Sequence, residues 1–238
     1  MRDSSHFATT RWTCVLQAQG ESAEARAALN ELCAAYYGPV QSFLRHSARA
    51  GESADDLTHE FFTRILTGHA FGNADPRKGR FRSYLLGAVK HFLADVRDRQ
   101  RALKRGQRFE HLSIDPGTDT SPGLDVPDPN VISPDVFFTR QWALTVLDRA
   151  LLQLQQEMIA ADKGDHFESM KPWLSGAAVE SQAAVASQLG ITENALKVAI
   201  HRLRRRFREI VTQEISQTVV DPAQQQAELQ DLINALSH

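Results

Sequence analysis

Residues 112–134, LSIDPGTDTSPGLDVPDPNVISP, constrain the fold more than any other stretch of the chain. They carry Pro116, Pro122, Pro127, Pro129 and Pro134, with Gly117, Gly123 and a scatter of Asp. Each proline removes a backbone donor and clashes with a preceding helical turn, so no regular helix can run through. Few side chains here suit a core. The segment predicts an extended linker, and the chain divides into two helical halves on either side of it. We find no internal repeat and no convincing strand run. The reading is all-α: an extension over 1–22, a helical domain over 23–108, a linker over 109–134, a second helical domain over 135–218 and a C-terminal helical extension over 219–238.

The first half shows helical periodicity. Ala28, Leu29, Leu32, Tyr36, Val40, Phe43 and Leu44 share one face of 23–47, with a bend or break expected at Gly38-Pro39. A second helix spans about 53–67. A third runs from about Arg80 to Lys104, with Phe81, Leu85, Ala88, Val89, Phe92 and Val96 on one side. Between them, GHAFGNADPRKG reads as a loop. In the second half, a helix at about 135–161 places Phe138, Trp142, Val146, Leu147, Ala150 and Leu154 together. Then SQAAVASQLGITENALKVAIHRLRRRFREI gives a short helix, a turn at Gly190 and a longer helix capped by Thr192, which is a helix-turn-helix pattern. Asp221-Pro222 opens a tail helix with Leu229, Leu232, Ile233 and Leu236 on one side.

Charge distribution is more informative than the net charge of −2. Seventeen of the 27 Lys and Arg lie in two short blocks, 77–108 and 197–208, and the rest of the chain is acidic. Two basic stripes on an acidic protein suggest two contacts with a polyanion; two solvated helix faces are the bland alternative. In the second block Leu196, Ile200, Leu203 and Phe207 form the core side of the helix. The opposite sector holds Asn194, Lys197, Val198, His201, Arg202 and Arg205. Asn pairs bidentately with adenine, Arg with guanine, and Val meets a thymine methyl, so this sector suits a major groove. Arg204, Arg206 and Arg208 are better placed for phosphates. In the first block, Asn73, Arg77, Lys78, Arg80, Arg82, Tyr84, Lys90, His91 and Arg97 interleave cations with flat side chains, a chemistry that holds single strands. Phe81 and Phe92 belong to the apolar face.

One helix goes against this trend. In DDLTHEFFTRIL, residues 55–66, Leu57, Phe61, Phe62 and Ile65 make a buried arc that also contains Thr58. Ser53, Asp56, Glu60 and Thr63, with His59 beside them and Asp55 in the first turn, face outward. Carboxylates on an exposed helix suit a basic protein surface and repel DNA, although acids near a helix N-terminus also favour the helix by themselves.

Cys14 and Cys33 form no CxxC, the nine His lack ligand spacing, and no apolar run reaches spanning length. No nucleophile–base set, phosphate loop or metal cluster is legible, so we expect no enzyme, no cofactor and no metal, in a soluble cytoplasmic protein without a membrane partner.

The order of these motifs resembles that of bacterial RNA polymerase sigma factors of the extracytoplasmic-function type. The resemblance rests on LNELCAAYYGPVQSFLRH, ADDLTHEFFTRIL, DPRKGRFRSYLLGAVKHFLADVRDR and AAVASQLGITENALKVAIHRLRRRFREI, and covers about 23–108 and 135–215. It implies that Asp55, Asp56, His59, Glu60 and Thr63 dock on the coiled coil of the largest polymerase subunit, with the flap as a second contact. It implies that the region from Asn73 through the third helix holds the downstream promoter element as single strand. The helix 192–208 would read the upstream element as duplex. Ser53 stands where relatives carry an acid, His59 where Gln is usual, and Ala199 where Arg is common. Regulation by a Ser/Thr kinase at Ser53, Thr63 or Thr58, by an anti-sigma factor, or by the C-terminal helix follows as an expectation. The rival readings are a stand-alone helix-turn-helix repressor or activator, and a helical protein-binding adaptor.

Overall fold

The computed structural model describes residues 23–49, 51–67, 80–107, 132–216 and 222–237, and these are almost wholly helical. In chain order the helices are α1 (Ala23–Ser47), α2 (Ala54–Thr67), α3 (Phe81–Gln107), α4 (Pro134–Ala160), α5 (Gly164–Met170), α6 (Pro172–Ser175), α7 (Gln182–Gln188), α8 (Glu193–Ser216) and α9 (Pro222–Ser237). No strand occurs among the described residues. The extension over 1–22, the loop with Asn73, Arg77 and Lys78, and most of the proline-rich segment lie outside them.

Helix starts follow local chemistry. Ser53 caps α2: its Oγ accepts from the Asp56 amide at 3.2 Å. Ser133 caps α4, accepting from Asp135, and Pro134 takes the first helical position, where a missing N–H costs nothing. The last proline of the expected linker therefore starts a helix. Ser181 and Thr192 cap α7 and α8, accepting from the amides of Ala184 and Ala195 at 3.2 Å each. Gly190 sits at φ +66° in the turn between them, a left-handed conformation that glycine enters without strain.

The helix is not broken at Gly38-Pro39: α1 continues through Pro39. An internal proline costs a helix about 3 kcal/mol. Tyr36, Val40, Phe43 and Leu44, all at most 3% exposed, flank it and anchor both sides of the site in the core. Burial of side chains this size stabilises by about 1.5–3 kcal/mol each, which outweighs the lost bond.

The partners of α1 are the main surprise. Its most extensive contact is with α4, from the other side of the proline-rich segment. Buried residues of both halves, from Ala35 to Leu232, make one continuous cluster. Helix α3 joins it through large side chains: Phe81 meets Tyr36 of α1 edge-on at 5.1 Å, and Phe92 meets Phe61 of α2 at 5.4 Å. Helix α9 packs on α4 and α8. The described residues of the two halves thus share one core. The apolar face of α4 sits between both halves, and no single-helix pattern specifies which neighbour covers it.

Candidate nucleic-acid and protein-docking surfaces

Helix α8 presents the clearest surface. Leu196, Ile200 and Leu203 are at most 3% exposed, and Phe207 is half-buried against the same core. With that side down, Asn194, Lys197, Val198, His201, Arg202 and Arg205 all stand exposed, as the helical period requires. The guanidiniums of Arg202 and Arg208 have no ion-pair partner among the described residues. Lys197 reaches only Glu193 one turn back, at 2.7 Å, and Arg205 only Glu209 at 3.0 Å. Both pairs lie at the surface, where screening makes them weak and easily exchanged for phosphate.

Two of the three arginines expected on phosphates have other roles. Arg204 donates twice to the Trp173 carbonyl, at 3.1 and 2.8 Å, and so ties α6 to α8. Arg206 makes a fork-to-fork pair with Glu157 of α4, both bonds 2.7 Å, and also reaches Glu209. Its bond to Arg206 holds the Glu157 carboxyl below the usual carboxylate range, and the same pairing raises the Arg206 guanidinium further. Sequence reasoning missed Glu157 and Trp173 because neither neighbours α8 in the chain.

A groove of about 720 Å³ lies beside this face. Leu154, Met158 and Met170 line it on the α4–α5 side, and Asn194, Val198 and Arg202 on the α8 side. The expected base-reading sector is therefore split. Lys197, His201 and Arg205 lie outside the groove, while Arg202 lines it together with Ala195, Ala199 and Arg206.

The basic block on α3 is arranged differently. Arg82 is buried. Its Nη2 donates to Glu228 Oε2 and Asp231 Oδ2 of α9, both at 2.8 Å, its Nη1 reaches Thr139 Oγ1 at 3.4 Å, and its guanidinium carbon lies 4.4 Å from the centre of the Trp142 ring. Arg80 donates to the same Asp231 carboxylate, with Glu228 at 3.7 Å. Lys90 bonds Asp135 at 2.6 Å, and Arg97 bonds the Ser47 carbonyl at 2.6 Å. Arg97 is half-buried, and desolvation lowers its basicity. Tyr84 is half-buried, stacked on Phe81, and burial pushes its hydroxyl pKa up. His91 is exposed. So Arg82 and Arg97, expected at an open strand-binding face, serve here as internal ties between helices. Charge this dense beside a core finds internal carboxylates and carbonyls when it cannot reach water.

Helix α2 keeps the expected division. Leu57, Phe61, Phe62 and Ile65 are buried, and Thr58 is fully buried with its hydroxyl donating to the Ala54 carbonyl at 2.7 Å. Ser53, Asp55, Asp56, His59 and Thr63 are exposed and Glu60 is half-exposed. Three residues modify this acidic row, two of them, Arg99 and Gln41, from other helices. Arg64 and Arg99 both reach Glu60 Oε1, at 3.3 and 3.1 Å, and Gln41 donates to Asp55 at 2.8 Å. Asp56 keeps its charge clear of such partners among the described residues.

Among the described residues, no cluster of His, Cys, Asp and Glu is arranged to hold a metal ion, and no helix is long and apolar enough to cross a membrane. Compared with protein-family models, with curated proteins and with solved structures, the chain has no match.

Proposed function

We propose that the chain is a sigma factor: it binds core RNA polymerase, through the coiled coil of the largest subunit and the flap, and directs promoter-specific initiation in the cytoplasm. It acts as a specificity subunit and carries out no reaction of its own. The observation that carries this reading is the separation of opposite surfaces on one fold. Among the described residues, helix α8 exposes Asn194, Lys197, Val198, His201 and Arg205 without strong internal partners, whereas α2 exposes Asp55, Asp56 and His59 on a face whose adjoining cations reach Glu60. The first suits the edges and phosphates of duplex DNA, and the second suits a basic protein surface.

Control by a Ser/Thr kinase belongs to the same proposal. Ser53 is exposed at the N-cap of α2, where a phosphate adds about −1.5 to −2 charge next to the helix N-terminus and extends the acidic row. Thr63 lies almost three turns further on and is likewise exposed. Thr58, with its hydroxyl buried and bonded inside the helix, is the least suited of the three. Polymerase binding by Ser53→Asp and Thr63→Asp tests this. Equal binding by the corresponding Ala variants sinks the switch.

Run-off transcription with purified core polymerase tests the main reading. Promoter-specific transcripts that require the added chain are expected. Tight duplex binding by the chain alone, with no transcripts, means a stand-alone repressor or activator. A protein without any salt-dependent DNA affinity is an adaptor, because phosphate neutralisation necessarily releases counterions.

A further inference from the structure

The C-terminal helix places two carboxylates against Arg80 and Arg82 at the start of α3. Glu228 and Asp231, three residues apart on one side of α9, both lie within 2.8 Å of Arg82 Nη2, and Asp231 also takes Arg80. Thr139 Oγ1 and the Trp142 ring hold Arg82 in place, and the guanidiniums of Arg80 and Arg82 converge on one anionic position. Arginine forks bind phosphate with the geometry they use for carboxylate.

The seal is also incomplete. Glu228 Oε1, Arg82 Nε and Trp142 Nε1 are buried, and none has a hydrogen-bond partner among the described residues. A buried ion pair repays its desolvation only when its remaining polar atoms are satisfied. The apolar footing of α9 is small: Leu232 is buried, Leu229, Ala235 and Leu236 are partly buried, and Ile233, expected on the same face, stands 48% exposed. A helix held by a half-satisfied ionic centre and a short apolar stripe is suited to leave when a better anion or a competing surface is offered.

We propose that α9 is an internal competitor for nucleic acid: Glu228 and Asp231 occupy the phosphate seat formed by Arg80 and Arg82, and displacement of α9 opens that seat to a single strand. This inference rests on reading α3 as the strand-holding helix. It makes strand binding conditional, so the free chain holds its α3 cations shut while α8 stays open.

The test uses the full chain and a fluorescein-labelled 20-nucleotide single strand of mixed sequence, with affinity measured by anisotropy across a salt series. Glu228→Gln with Asp231→Asn is expected to bind about tenfold tighter than wild type at low salt. Its log–log salt slope steepens by about 1.4, the value for two added phosphate contacts on a single strand. Asp231→Asn alone keeps the buried pair intact, so the fold is retained and a smaller gain through Arg80 is expected. Adding Arg80→Ala to Asp231→Asn should remove its gain, and adding it to the double variant should leave about half, carried by Arg82. Affinity and slope unchanged in a normally melting Asp231→Asn protein overturn the proposal. So does an Asp231→Asn gain that survives Arg80→Ala, or one matched by neutralising the exposed Asp148 as Asp148→Asn. Because only DNA is present, the outcome separates from the transcription assay. Tighter strand binding without transcripts sinks the sigma reading and keeps the gate, and transcripts with unchanged strand binding sink the gate alone.

Discussion

Helices α3 and α8 carry similar basic sequences and use them in opposite ways. On α3, every cation from Arg80 to Arg101 whose side chain is described has an acceptor within the molecule: Glu228, Asp231, Asp135, the Ser47 carbonyl, Glu60 or Asp98. On α8, Arg204 and Arg206 are similarly tied, but Arg202 and Arg208 have no ion-pair partner among the described residues, and Lys197 and Arg205 make only surface pairs within their own helix. A basic stripe in sequence is therefore not yet a nucleic-acid surface. What decides is whether a carboxylate from elsewhere in the fold reaches the cation first.

The sharpest way to break the comparison is at Arg82. Arg82→Ala removes the closer cation of the buried Glu228 and leaves it only Arg80 at 3.7 Å, and breaking a buried pair on one side costs about 3–5 kcal/mol. Urea denaturation should show this loss, whereas Arg202→Ala should stay within about 0.5 kcal/mol of wild type. If the two variants melt alike, the contrast between the helices is wrong. Trp142→Ala comes next in scale, also about 3–5 kcal/mol by core truncation. Because α4 lies in the core shared by both halves, the transition should remain single and move as one; two resolved transitions would mean that the halves fold separately.

The expected effects on binding are smaller. Replacing Arg205 or Asn194 by Ala should cost duplex affinity about 1–3 kcal/mol and relax preference at one base position, with stability unchanged. Competition with mutated duplexes measures it, and a uniform loss across sequences would reassign the residue to phosphate. The smallest effect concerns Arg206. Arg206→Ala should destabilise by about 1 kcal/mol, since the pair with Glu157 is partly exposed. Glu157 has a lowered carboxyl pKa in the folded state, so its contribution is present above the unfolded carboxyl value near 4.5 and is lost as pH falls through the lower folded value. The stability gap between wild type and Arg206→Ala should therefore close on acidification below about pH 4.5. A gap that persists in acid means that the arginine acts through packing alone.

Much of this could be read along the chain. The helix-turn-helix, with its caps at Ser181 and Thr192 and the left-handed turn at Gly190, is local chemistry, and the structure has it where the residues predict. The buried arc of α2, including Thr58, follows from helical period. Glu228 and Asp231 gave no such signal, because nothing near them in sequence names Arg82, 146 residues from Glu228, as the partner. The same holds for Glu157 on Arg206, 49 residues apart.

The sequence alone determines the helices of this protein, their buried faces, the proline-rich break and the acidic and basic stripes, because each depends on neighbours within a turn or two. Only the tertiary structure decides that α1 lies on α4 across that break, and that α9 turns two carboxylates onto Arg80 and Arg82. The physical reason is that apolar burial is non-directional and charge pairing depends on proximity in space. An apolar stripe specifies that it must be covered and a guanidinium that it needs an anion, while packing selects the helix that supplies each.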